Sequence, residues 1–238
     1  MYDPTNPYAA PLAPIAPAAT EWLGAQSESL RRVAFGLGMI YFGIVLVLVA
    51  IVVLIGMIAL RVDVRVAEWG LWGVRLLSLM GAVLSLVGAL FCLATPSETR
   101  ARGLIFTSVG ATLVALLLAF FNFLQQMRLV AQLPAAFNYA APLLIVASIV
   151  SFLWFLRRMN QFIGRRNLAR RAIVVIVYVG FLIAIDVLSV LSLGDWFARL
   201  FTALTVLVFF GMIIVHAIGL VLYANLVTNT RKAILGKQ

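Results

Sequence analysis

The sequence predicts an all-α protein: a polytopic transmembrane bundle of six helices with both termini in the cytoplasm. Hydrophobic residues make up 64% of the 238 and charged residues only 11%, and the mean hydropathy is +1.12. That balance would leave a water-soluble fold with too apolar a surface. The apolar residues gather into runs of about 20, the length of a helix that crosses about 30 Å of hydrocarbon. They do not alternate as the strands of a membrane barrel would. The basic residues stand just outside these runs, where membrane topology uses them.

The opening, MYDPTNPYAAPLAPIAPAAT, carries five of the eight prolines, which deny the backbone its donors and favour an extended, solvated chain. Residues 1–32 therefore read as a Pro/Ala-rich cytoplasmic tail, disordered except for a short interfacial helix over Glu21 to Arg32. Residues 33–226 form the transmembrane domain and 227–238 a basic cytoplasmic tail. The first apolar run is too long for the core of a cleavable signal peptide and reads as an anchor.

The first helix is expected from Val33 to Leu60, long enough to tilt or protrude. The second follows an aromatic belt of Trp69 and Trp72 and runs from Leu71 to Ala94. In Thr95-Pro96-Ser97-Glu98 the threonine suits an N-cap, the proline the first helical position, and the glutamate a bond back to the cap. The third helix is accordingly placed from Pro96 to Leu124. Small residues recur along the second helix at Ser78, Gly81, Ser85 and Gly88, and along the third at Gly103, Thr107, Gly110, Ala111 and Ala115. Such rows let membrane helices approach closely, so these two helices are expected to pack together.

The longest external loop spans Gln125 to Ala140. The fourth helix runs from Pro142, acceptable in a first turn, to Leu156 or a turn beyond, and the fifth from Ala172 to Leu193. Gly194 can close the fifth and Asp195 can cap the sixth, which ends near Leu226 and makes a tight hairpin with it. Thirteen of the eighteen basic residues then fall on the side of the termini, the positive-inside pattern. Sixteen of those eighteen are arginine, a bias expected of a GC-rich bacterial genome and hence of an inner-membrane location. The hydropathy rhythm gives three hairpins, but their residues do not match well enough to argue duplication.

Ionisable groups inside a bilayer invite a functional hypothesis because they cost about 2.5–3.5 kcal/mol at a helix centre. Asp186 lies roughly 10 Å below the outer interface, and Arg75 enters from that side on the second helix. The two can pair if the second and fifth helices are neighbours, with Asn122 and Thr205 near that depth. His216 lies some 13 Å from the cytoplasmic side, level with Tyr178, which suggests a hydrogen bond between them. Each of these polar groups also has a plain packing role open to it.

The fourth loop, RRMNQFIGRRNLARR, concentrates Arg157, Arg158, Arg165, Arg166, Arg170 and Arg171. Met159, Phe162 and Ile163 recur at helical spacing, so the stretch can lie on the inner leaflet with its arginines on anionic headgroups. The alternative is that these arginines only set topology.

The same arginine placement argues against a nucleic-acid partner. Cys92, the one cysteine, offers neither a disulfide nor a Cys-based metal site, and no nucleotide-binding, metalloprotease or nucleophile-elbow motif is present. No cofactor is expected. The leading expectation is a non-enzymatic assembly or scaffold component, as a homo- or hetero-oligomer. A small transporter using Asp186 comes second and an intramembrane enzyme third.

Overall fold

In a computed structural model, the residues described are 19–60, 63–126, 136–192 and 202–236, with the side chains of 19–27, 64, 65, 67, 123, 126, 136–139, 141, 186–192 and 202–209 outside the description. Among them the chain is all-helical. The helices are α1 (Ala19–Ala59), α2 (Val64–Cys92), α3 (Arg102–Gln126), α4 (Ala136–Phe162), α5 (Arg166–Ser192) and α6 (Thr202–Ile234), with one 3-10 turn at Ser97–Thr99. Each of the six contains a stretch long and apolar enough to cross a membrane.

The helices overrun the apolar segments because charged and amphipathic residues continue them into the interface. α1 has 41 residues, about 60 Å at 1.5 Å per residue and twice what the hydrocarbon requires. Glu21 to Arg32 is its first part and continuous with the rest. Arg32 donates to Glu28 one turn earlier at 2.5 Å. α6 likewise continues to Ile234, taking up most of the segment read as a tail. Pro142, expected in a first turn, lies inside α4, which begins at Ala136. Residues 1–18, the external loop over 127–135 and the Gly194/Asp195 hairpin lie outside the described residues.

Consecutive helices pack side by side and α6 returns to α1, so the six close a ring, with α4 also touching α6. The tightest core lies toward the end where Arg100, Arg157 and Arg231 stand. There Val33 and Leu37 of α1, Ile105 of α3, Phe155 and Met159 of α4 and Val227 of α6 are all buried. Outward faces such as Phe42, Val52, Val174 and Phe181 remain apolar, as a lipid solvent requires.

α1 and α2 form the most extensive pair, and glycine is the reason. Gly36 faces Gly88 and Gly43 faces Gly81, each pair seven residues from the next on an antiparallel hairpin. A Cβ on Gly88 would stand 2.5 Å from the Gly36 carbonyl oxygen, and one on Gly81 would stand 2.7 Å from that of Gly43. A seven-residue repeat keeps one seam in register between two helices crossing at a shallow angle. The small row of α2 thus serves α1, which corrects the expected α2–α3 pairing. α2 and α3 touch only modestly. α3 packs instead on α4, where Ser148 Oγ lies 3.0 Å from Ser108 Oγ and 2.5 Å from Thr112 Oγ1. The Ser148 hydroxyl also approaches the Ser108 carbonyl at 3.0 Å.

The expected capping box is absent. The Thr95 hydroxyl donates backwards to the Cys92 carbonyl at 2.5 Å, closing α2, and Pro96 precedes the 3-10 turn. Arg100 then takes a left-handed conformation, φ 50°, and α3 starts at Arg102. The end carbonyls of α2 lack partners within the helix, and the Thr95 hydroxyl satisfies one of them rather than capping the next helix.

Candidate functional site

Among the described residues, two regions bring polar or charged side chains around open volume. The first is built by the turn from α4 to α5. Gly164 adopts φ +79°, which a side chain would resist. The Arg165 amide donates to the Asn160 carbonyl at 2.8 Å, the long closing bond of a Schellman stop. α5 begins at the next residue. This reversal places Arg165, Arg166, Asn167 and Arg171 opposite Asn229 and Lys232 of α6, and together they line a pocket of about 640 Å³.

The arginine-rich stretch is therefore divided rather than spread on one surface. Arg157 stacks on the Trp154 ring, 4.6 Å from its centroid. Arg158 donates to the Arg100 carbonyl at 3.2 Å. Arg165, Arg166 and Arg171 line the pocket, and Arg170 is exposed outside it. Met159, expected on the inner leaflet, is fully buried, and Phe162 and Ile163 pack against the core. The helical spacing was real, but it belongs to the last turn of α4.

Beneath this turn lies a polar pair that the sequence reading passed over. Asn160 is fully buried. Its Nδ2 donates to the Leu156 carbonyl at 2.8 Å and to Thr230 Oγ1 at 2.9 Å, and the Thr230 hydroxyl donates to the Leu226 carbonyl at 2.9 Å. This joins α4 to α6 directly under the pocket. The neighbouring Arg157, Arg158 and Gln161 are polar as well, so nothing in the sequence singled Asn160 out as buried.

The second region is a cavity of about 950 Å³ between α2 and α3, backed by α1, α4 and α6. From Arg75 to Ala89, both in its wall, it extends roughly 20 Å along α2. Its wall is mostly apolar, with Arg75 and Asn122 toward one end and Ser85, Ser108, Thr112 and Ser148 deeper. The Arg75 guanidinium lies 5.5 Å from the centroid of the Trp72 ring, a cation–π contact at the interface.

No protein-family model matches the chain, and no curated protein or solved structure does either.

The expected intramembrane polar residues separate into two groups. Arg75 and Asn122 share the apolar cavity. Asp186 lies on α5 and Thr205 on α6, with side chains outside the described residues. A pair between Arg75 and Asp186 required α2 and α5 to be neighbours. α2 instead lies against α1 and α3, and α5 against α4 and α6. Tyr178 and His216 are level, as expected, but do not bond as expected. The Tyr178 hydroxyl donates to the Val215 carbonyl at 2.8 Å, and His216 Nδ1 stands 2.8 Å from the Met212 carbonyl one turn back. A carbonyl only accepts, so this nitrogen carries the proton. Gly219 lets the Tyr178 ring come so near α6, since a Cβ there would stand 3.0 Å from Cε1. Among the described residues no three His, Cys, Asp or Glu side chains gather as a metal site would require.

Proposed function

We propose that the chain is a non-enzymatic component of a larger membrane assembly, located in a bacterial inner membrane with both termini in the cytoplasm. The observation that carries this is on α3. Gly103, Thr107 and Gly110 lie on one outward face and are exposed, and a Cβ on either glycine would meet nothing within 4 Å. An unfilled row of small residues lets the backbone of another helix approach closely in lipid, where no hydrophobic effect assists. The orientation is supported by the bias of basic residues toward the termini. At that face the arginine-rich turn would meet anionic lipids.

A photoreactive residue at position 107 is expected to form a discrete higher-mass adduct in native membranes, whereas one at the lipid-facing Val177 is not. A Gln238→Cys, Cys92→Ala protein should resist membrane-impermeant thiol reagents until the cytoplasmic face is opened. No adduct at 107 would remove the assembly reading, and labelling in intact cells would reverse the orientation.

The cavity between α2 and α3 favours a second reading, a small transporter for an apolar or amphiphilic solute. In that case Asn122→Ala and Asp186→Asn, in folded protein, should abolish flux into proteoliposomes. Unchanged flux in both would eliminate it.

A further inference from the structure

We propose that the pocket between the α4–α5 turn and the end of α6 binds a lipid headgroup carrying two phosphates. This deepens the anionic-lipid contact above and rests on it. Four cations line the pocket, Arg165, Arg166 and Arg171 from one side and Lys232 from the other, with the Asn167 and Asn229 amides between them and no acidic residue in the wall. The first turn of α5, which begins here, also holds no acidic residue. Four like charges brought together from the α4–α5 turn and the end of α6 repel one another, so the arrangement is stabilised by an anion that neutralises them. A single phosphodiester carries one negative charge and leaves most of that repulsion in place, whereas two phosphates offset half of the charge. Arginine also grips phosphate oxygens through paired N–H groups. The pocket has room for about 20 waters at about 30 Å³ each, enough for two phosphates and a glycerol link with water remaining.

The membrane position selects a lipid over a soluble phosphate. On α5, Val174 and Phe181 follow Asn167 at seven and fourteen residues. On α6, Leu222 and Ile218 precede Asn229 at seven and eleven. These spacings place all four on the same helix faces as the pocket residues, and all four are exposed and apolar. The headgroup therefore sits above a ready track for acyl chains between α5 and α6. Asn225, exposed one turn from Asn229, extends the polar mouth toward the interface.

The test is native mass spectrometry of the detergent-purified full chain, titrated separately with diphosphatidylglycerol, phosphatidylglycerol, phosphatidylcholine and inorganic pyrophosphate. Wild type is expected to retain one diphosphatidylglycerol at concentrations where phosphatidylglycerol dissociates. The double variant Arg166→Gln, Lys232→Gln should bind it at least tenfold more weakly, since each basic group near the surface is worth close to a factor of five. Arg170→Gln, on the same turn but outside the pocket, should stay within twofold. All substituted side chains are exposed, and unchanged melting temperatures would confirm folding.

An equal loss in Arg170→Gln overturns the pocket while leaving a general anionic-lipid contact standing. Equal binding of all three lipids overturns both. Pyrophosphate binding as tight as diphosphatidylglycerol overturns the lipid as occupant, as does tighter binding of phosphatidylglycerol overturn the two-phosphate assignment.

Discussion

Gly88→Ala is expected to lower the stability of the protein by about 1–3 kcal/mol, the usual cost of overpacking a tight core. The new methyl carbon would stand 2.5 Å from the Gly36 carbonyl oxygen and 2.7 Å from Ile40 Cγ1. The Ile40 side chain can rotate away, but a backbone carbonyl held in a helix cannot, so α1 and α2 must separate. Separation opens the seam along its length, because Gly43 and Gly81 are held by the same register. A larger residue such as valine at 88 should prevent the folded state from accumulating. Gly211→Ala supplies the control: nothing lies within 4 Å of its added Cβ, and alanine is the better helix former by roughly 0.5–1 kcal/mol. Thermal unfolding in mild detergent should therefore move in opposite directions for the two variants. Equal effects would mean that the close approach of α1 to α2 is not what holds this hairpin.

Phe155→Ala is expected to cost about 2–3 kcal/mol, below the range of about 3–5 for the same change in water-soluble cores. The reduction has a physical cause. In lipid a phenyl ring gains little by leaving its solvent for the protein interior, since both are apolar. What is lost is the close packing around a filled site, the cavity part of the cost. Phe155 is fully buried, with the Phe152 ring 5.4 Å away by centroid, and Phe152 in turn meets the edge of Tyr223 at 6.1 Å. Phe106, 63% exposed on α3, should tolerate alanine with almost no change. Denaturation curves in mixed detergent micelles would separate the two, and a cost at position 106 matching that at 155 would contradict this assignment of the core.

The number of helices was legible because apolar length is a nearly sufficient signal in a membrane protein. Where each helix stops was not, since residues such as Glu28 and Arg231 continue a helix as readily in the headgroup region as they would end one. The row Ser78, Gly81, Ser85, Gly88 announced a close approach without naming the partner. Gly36 and Gly43 name it by matching the seven-residue interval, a comparison between helices rather than a feature of either. Thr95 shows the opposite difficulty, a hydroxyl that can accept from the amide of a following helix or donate to the carbonyl of a preceding one, a choice that only the geometry reveals. Tyr178 was placed at the right height, yet a hydroxyl one residue out of phase finds a backbone carbonyl instead of an imidazole. The arginine cluster was visible as charge, but the pocket was not, because Lys232 and Asn229 reach it from a segment that looked like a tail.

The glycine seam also bears on how the chain is made. It joins consecutive helices and needs no later part of the sequence, so the hairpin can settle in lipid while the ribosome is still reading the codons of α3. At about 5–20 residues per second those 25 residues take a second or more, whereas helix relaxation needs about a microsecond or less. Every later helix then arrives to find a finished template rather than a loose neighbour.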